Sequence, residues 1–342
     1  MLQGHAYSSA RFFILVDENT VQHCLPRLVR QVRALQESTF FELPNGEKAK
    51  SIAVATQLWE ALLQEGADND SVIVNLGGGT VCDVGGFVAA AFHRGIRYLN
   101  VPTTLLAMVD AAVGGKTAVN LDHTKNPLGF FHQPEAVVID TAFLDTLAPE
   151  ELTNGRFELT KMQLLAGHDP ELGTWESPLD ETPSQQVVAA CAQMKQAVCT
   201  ADPYDRSVRR MLNLGHTFAH AIEGWSATES ATTVPHGIAV GLGIWCALWL
   251  SVKKLRCPDQ LLNRYTHWLQ SAIQAPSITL HDTESIIRLM HRDKKTIEGN
   301  CHLVLLKDEG VPVIDVQVND NEVRDTLLQL DHQLHRQAGS LL

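Results

Sequence analysis

The stretch LNLGHTFAHAIE, Leu212 to Glu223, sets two imidazoles four residues apart in a helix-favouring context. Residues i and i+4 of an α-helix lie one above the other, so His216 and His220 would point the same way. Glu223, seven residues after His216, falls near the same face. A third histidine, His236, follows twenty residues after His216 in Pro235-His236-Gly237. Three histidines and an acid could hold a divalent cation, since catalytic zinc typically takes three protein ligands and keeps one position open. The spacing lacks the glutamate of HExxH and does not indicate a zincin protease. A histidine packed in a core or on a helix surface has the same appearance in a sequence. The residues alone leave both readings open.

Two glycine clusters could receive an anion. Gly77-Gly78-Gly79-Thr80-Val81-Cys82-Asp83 follows an apolar run and precedes a helical one. Backbone amides at such a turn can approach a pyrophosphate. Cys82 stands where GxGxxG has its third glycine, so a plain strand-to-helix turn is the competing reading. Gly114-Gly115-Lys116-Thr117 has the tail of a P-loop, but Asp110 occupies the position of the first glycine, which excludes that motif. What survives is Lys116 in a glycine-rich turn, near Asp110 and Lys125-Asn126, able to meet a phosphate or carboxylate as a point charge. Lys195, Arg209 and Arg210 precede the histidine segment, and Lys294-Lys295 follow it. With Arg94, Lys116 and Lys125 they could line an anion site, or they could form a solvated face.

These residues need a frame to position them. The 342 residues suffice for two domains. A composition of 45% hydrophobic and 19% charged residues permits a sizeable core. The net charge of -12 argues against nucleic-acid binding but not against a local basic site for an anionic small molecule. The first twenty residues do not read as a secretory signal. The charge-free run Ile238 to Val252 has fifteen residues, fewer than the about 20 a membrane span needs, and is expected to be a buried helix. Seven cysteines without a CxxC pair fit core thiols in a reducing cytoplasm.

Up to about residue 150, apolar runs alternate with helical stretches. Strands are expected at 12–16, 71–76, 98–101 and 136–140, with helices at 52–64 and 84–92. This pattern predicts a mainly parallel α/β domain of the nucleotide-binding type over residues 1–150. Beyond it, apolar spacing of three and four predicts a helical domain over residues 151–342, with one late strand at 301–306. The active site is expected in the cleft between the domains.

Together these stretches resemble the 3-dehydroquinate synthase family of sugar phosphate cyclases. The resemblance runs from Asp17 to about Leu306 and rests on GGGTVCDVGGF, HRGIRYLNVPTTLLAMVDAAVGGKTAVN, KNPLGFFHQP, RMLNLGHTFAHAIE, PHGIAVGLG and RDKK, in that order. It implies a Rossmann-like NAD-binding α/β domain followed by a helical metal- and substrate-binding domain, working as a homodimer. It places NAD against Asn45, Gly46, Glu47 and Lys50; against Gly79, Thr80, Val81, Cys82 and Asp83; and against Thr103, Thr104, Lys116, Lys125, Phe143, Leu144, Asp145 and Thr146. It implies Glu158, His216 and His236 as ligands of a divalent metal, zinc or cobalt. His220 would handle the substrate phosphate and proton transfers. Asp110, Lys116, Asn126, Lys161, Lys195, Arg209, Asn213 and one of Lys294 and Lys295 would line the substrate. Arg94 would reach the neighbouring subunit's phosphate site.

The implied reaction converts 3-deoxy-D-arabino-heptulosonate 7-phosphate to 3-dehydroquinate and phosphate, a step of aromatic amino acid biosynthesis. Transient oxidation by NAD, β-elimination of phosphate, re-reduction and an intramolecular aldol closure would follow one another. Five departures stand out, one of them an interval from His216 to His236 slightly longer than usual. Cys82 replaces a glycine and could crowd a pyrophosphate, and Phe157 replaces the alanine before the ligand glutamate. Ile238 stands where the pattern HGEA has glutamate, and Asp202-Pro203-Tyr204-Asp205 stands where it has DExE. A cyclase for sedoheptulose 7-phosphate or glucose 6-phosphate, a metal-dependent polyol dehydrogenase and an inactive NAD-binding homologue are the alternatives.

Overall fold

Phe12–Asp17 (β1) and Val72–Gly77 (β3) are runs of β-branched and aromatic residues with almost no exposed position, as strands covered on both faces require. In a computed structural model describing residues 7, 10–122, 124–230, 233–273, 276–292, 296–297 and 300–335, they lie side by side at the centre of a five-stranded sheet. Its order is β2-β1-β3-β4-β7, with every pair parallel, where β2 is Thr39–Leu43, β4 is Arg97–Pro102 and β7 is Ala136–Val137. Helices α1 (Glu18–His23), α2 (Leu25–Gln31), α3 (Ile52–Gln64) and α4 (Gly79–Ala91) connect these strands. Asp17 and Thr20 cap α1 reciprocally, and the Ser51 hydroxyl caps α3. A hairpin of β5 (Lys116–Leu121) and β6 (Thr124–Phe131) completes the run of strands.

The sheet and its helices form one compact unit, extending to Leu152 and including Thr182–Tyr204. After α5 (Pro149–Ala166), helix α6 (Gln185–Ala201) therefore belongs with the first unit, although its sequence position suggested the second. The reason is local: Cys191 and Lys195 on its buried face meet Val109 and Asp110. Strands β2 and β6 carry no clean apolar alternation, and neither they nor β5 was expected. Lys116 accordingly opens a strand rather than sitting within a turn. Helix α4 starts at Gly79, five residues before the apolar run that suggested it, because the glycine turn itself supplies the first helical residues.

The second unit spans Thr153–Glu181 and the chain from Asp205 onward. It contains most of α5, α7 (His216–Thr228), α8 (His236–Leu255), α9 (Asp259–Ala272), α10 (Leu280–Arg292) and α11 (Asp320–His335). Between α10 and α11 lies an antiparallel sheet of β8 (Thr296–Ile297), β9 (Asn300–Asp308) and β10 (Val311–Val318), larger than the single late strand expected. Helix α8 is long and apolar enough to cross a membrane by length and composition, yet 67% of that window is buried inside the unit, as a core helix would be.

Two features bring α5, α7 and α8 together. Gly215, just before α7, has φ +77°, and a Cβ there would collide with Gly243 and Ile244 of α8. Gly241 of α8 lies against the ring of Phe157, where a Cβ would overlap it. The bulk of Phe157 is thus taken up by a missing side chain and by an edge-on contact with Trp268 at 5.6 Å.

Candidate functional site

Three side chains from these helices converge. Glu158 of α5 is fully buried, and its Oε1 lies 3.2 Å from Nε2 of His216 and 3.2 Å from Nε2 of His236. One turn further along α5, Lys161 places its Nζ 2.6 Å from the other carboxylate oxygen. Nδ1 of His216 is 3.2 Å from the Leu214 carbonyl, and Nδ1 of His236 is 3.2 Å from a Glu223 carboxylate oxygen. A carbonyl and a carboxylate only accept, so both rings donate from Nδ1. Nε2 of each ring then meets the Glu158 carboxylate, either sharing a proton with it or, once deprotonated, turning a lone pair toward a cation.

One atom from each of the three residues lies within 4.8 Å of the others. Acceptors gathered this closely need a positive charge between them, either a proton or a cation. One carboxylate oxygen and two imidazole nitrogens form a donor set suited to zinc or another borderline divalent ion. Burial opposes charge on Glu158, but Lys161 and His216 outweigh it and hold the carboxyl well below its usual range. Burial also opposes protonation of His236, yet hydrogen bonds to Glu158 and Glu223 raise it to about 10. For His216 burial prevails over Glu158, and its pKa is lowered.

His220 shares the face of α7, as its spacing requires. Its exposed ring lies 5.6 Å from that of His216 and 6.3 Å from that of His236, outside the converging set. Arg209 is buried in the 3-10 turn before α7, and Asn213 ends that turn, donating to the Arg210 carbonyl at 3.1 Å. Arg210 is drawn into a two-pronged ion pair with Asp315, as the solvated-face reading of this basic group allows. Lys294 and Lys295 lie outside the described residues.

The glycine turn lies in the first unit. After β1 the chain continues to β2 on one side, and after β3 to β4 on the other. The carboxyl ends of β1 and β3 thus flank the topological switch point, where open α/β sheets bind ligands. Gly77 ends β3 and Gly79 opens α4, whose first amides face the turn. Beside it, the backbone N–H of buried Thr103 donates to the Gly77 carbonyl at 3.0 Å, and a Cβ at Gly78 would stand 3.1 Å from the Thr104 methyl. Val81 is buried and Thr80 half-buried. The Cys82 thiol is also buried, turned back to within 3.9 Å of the Gly77 carbonyl, and burial pushes its pKa up. That orientation removes the crowding expected of a side chain there.

Asp83 pairs with buried Lys50 at 2.6 Å. Burial raises the Asp83 pKa more than Lys50 lowers it. Asn45 reaches Glu18 at 3.0 Å, Gly46 takes φ +66°, and Glu47 accepts from the Asn120 amide at 2.6 Å. Asn120 also donates its backbone N–H to the Lys50 carbonyl and accepts the N–H of Asn126, itself at φ +55°. Sequence reasoning passed over Asn120, although it ties the turn at 45–50 to the hairpin carrying exposed Lys116, Lys125 and Asn126. A second group was also missed. Asn75 donates to Asn100, and Asn100 to the Ala112 carbonyl, at 2.9 Å each. This buried chain fixes the end of the π-turn 107–111, where Asp110 accepts from Lys195 at 2.8 Å. Phe143 and Leu144 are buried in the turn Thr141–Thr146, with Asp145 and Thr146 exposed, and Arg94 is exposed at φ +69°.

Both units are similar to known proteins. Models of the 3-dehydroquinate synthase N-terminal and C-terminal regions match residues 40–154 and 155–296. The 3-dehydroquinate synthase of Parabacteroides distasonis is 35% identical over 322 residues, covering 93% of this chain and 90% of that one. That of Coxiella burnetii is 37% identical over 341 residues, covering 96% and 91%. Among solved structures, a 2-deoxy-scyllo-inosose synthase complexed with carbaglucose-6-phosphate, NAD+ and Co2+ superposes with a TM-score of 0.83 at 25% identity, covering 95% of this chain and 92% of that one. With the converging glutamate and histidines in one unit, the glycine turn at the switch point of the other, and relatives matched along nearly their whole length, the chain belongs to the 3-dehydroquinate synthase family.

Proposed function

We propose that the chain converts 3-deoxy-D-arabino-heptulosonate 7-phosphate to 3-dehydroquinate and phosphate, with NAD and one divalent metal ion as cofactors. The observation that carries this reading is the buried Glu158 oxygen facing two imidazole Nε2 atoms at 3.2 Å. Glu158, His216 and His236 would hold the ion, which when bound lowers the pKa of substrate hydroxyls. The cofactor supplies a transient oxidation that acidifies a neighbouring C–H, so phosphate can leave by β-elimination without net NADH. Zinc is the ion we assign, from the nitrogen and carboxylate donors.

The chain's own residues would bind, orient and move protons. Lys161 balances the Glu158 charge, while Lys195 and Arg209 offset the substrate carboxylate. Asp110, Lys116, Asn126, Asn213 and one of Lys294 and Lys295 line the substrate. His220, exposed beside the ligands, serves the leaving phosphate and the proton transfers. Asn45, Gly46, Glu47, Lys50, Gly79 to Asp83, Thr103, Thr104, Lys116, Lys125 and Phe143 to Thr146 would hold NAD. The remaining proposals are a cytoplasmic homodimer and an Arg94 that reaches the neighbouring subunit's phosphate site. Seven buried free cysteines support the compartment.

The likeness to a 2-deoxy-scyllo-inosose synthase favours a second reading, a cyclase acting on a sugar phosphate without a carboxylate. The higher identity to 3-dehydroquinate synthases ranks it second. Purified protein with NAD, Zn2+ and the heptulosonate phosphate is expected to release phosphate without accumulating NADH. Phosphate release from glucose 6-phosphate or sedoheptulose 7-phosphate alone would favour the second reading. Net NADH from a polyol, or inertness of the metal-loaded chain toward every substrate, would overturn both.

A further inference from the structure

His236 is gripped at both ring nitrogens by carboxylates from different helices. Its Nε2 lies 3.2 Å from Glu158 of α5, and its Nδ1 lies 3.2 Å from Glu223 of α7. His216 differs, because its Nδ1 meets the backbone carbonyl of Leu214, only two residues away. Packing also restrains the two rings unequally. The His216 side chain is 12% exposed and that of His236 is 32% exposed. As the first residue of α8, His236 has no preceding helical turn to limit its rotamers. Something other than packing must aim it, and Glu223, itself only 16% exposed, touches it at the required atom.

We infer that Glu223 is a positioning residue for the metal centre: its carboxylate accepts the Nδ1–H of His236, fixes that tautomer and directs the Nε2 lone pair toward the ion. It lies outside the converging set of Glu158, His216 and His236 and is not itself a ligand. Partners of this kind orient a ligand ring and raise its basicity, and their loss typically costs about 10–100-fold in metal affinity. The inference rests on the metal-site reading and adds a fourth residue to it. On α7 the same helix supplies one ligand, His216, and the partner of another, so its rotation and tilt set both rings together.

The test separates reach from charge in the full chain. Glu223→Gln keeps an oxygen that can accept from Nδ1–H but removes the charge. Glu223→Asp keeps the charge but is one methylene too short, and Glu223→Ala loses both. Zn2+ affinity is read by competition with a chromophoric chelator, ligand geometry by the visible bands of the Co2+ form, and the tautomer by 15N shifts of His236. Glu223→Ala and Glu223→Asp are expected to bind Zn2+ about 10–100-fold more weakly, with altered Co2+ bands and a mixed tautomer. Glu223→Gln is expected to keep the Nδ1–H tautomer and lose less affinity than either. If the alanine variant does not fold, as judged by circular dichroism, the aspartate and glutamine variants still decide. Wild-type affinity and Co2+ bands in the aspartate variant would overturn the role of Glu223. An absence of Zn2+ binding by the wild-type chain would instead overturn the metal site itself.

Discussion

At Glu158 a carboxylate with no solvent exposure stays ionised because Lys161 and His216 repay its desolvation. The two histidines of HTFAH then divide according to the partners of their ring nitrogens. His216 donates to Leu214 and turns Nε2 toward Glu158, whereas His220 keeps an exposed ring beside the set. Their common face could be read from a spacing of four, but their separate roles could not, because i,i+4 geometry is the same for a ligand and a bystander. His236, twenty residues on, was a candidate by its type, whereas Glu158 came within reach only through family resemblance. His236→Ala is therefore expected to lose bound zinc, while His220→Ala keeps one zinc and loses phosphate release. Elemental analysis beside a phosphate assay checks this, and equal metal content and activity in both variants would reject the division of roles.

Among the elements, α8 was legible as a buried helix from its uncharged run, and α3 from its apolar spacing, because periodicity records burial directly. The hairpin β5–β6 was not legible. Its second strand is exposed at nearly every position, so no apolar alternation marks it. Asn120, Asn75 and Asn100 were likewise invisible, since a buried amide is recognised by partners distant in sequence.

Helix α7 owes its orientation partly to α10. Asp282 accepts from Thr279 at the start of α10 and from the Trp225 indole of α7 at 3.0 Å. Burial opposes ionisation of Asp282, but these hydrogen bonds outweigh it and lower its pKa. A depressed carboxyl contributes stability above its unfolded value near 3.9, and that contribution disappears as pH falls through the lower folded value. Asp282→Asn should thus cost about 1–2 kcal/mol at pH 7. Urea denaturation as a function of pH should show the gap to wild type narrowing below about pH 4. A gap that widens in acid would contradict this linkage.

For the whole molecule, the proposed chemistry divides between the parallel sheet and the helical set. The first unit offers a switch-point turn with Lys50 and Asp83 beside it, and the second offers a glutamate and two histidines that could hold an ion. The two-part organisation was legible from the change of period near residue 150, while the return of α6 to the first unit was not, because amphipathic helices look alike wherever they pack. If the reaction depends on one ion held by Glu158, His216 and His236, chelator-stripped protein should release no phosphate. Titration with Zn2+ should then restore the rate linearly up to one equivalent per chain in the wild type and not at all in Glu158→Ala. Full phosphate release by the stripped wild-type chain, or zinc-dependent recovery in Glu158→Ala equal to that of the wild type, would contradict it.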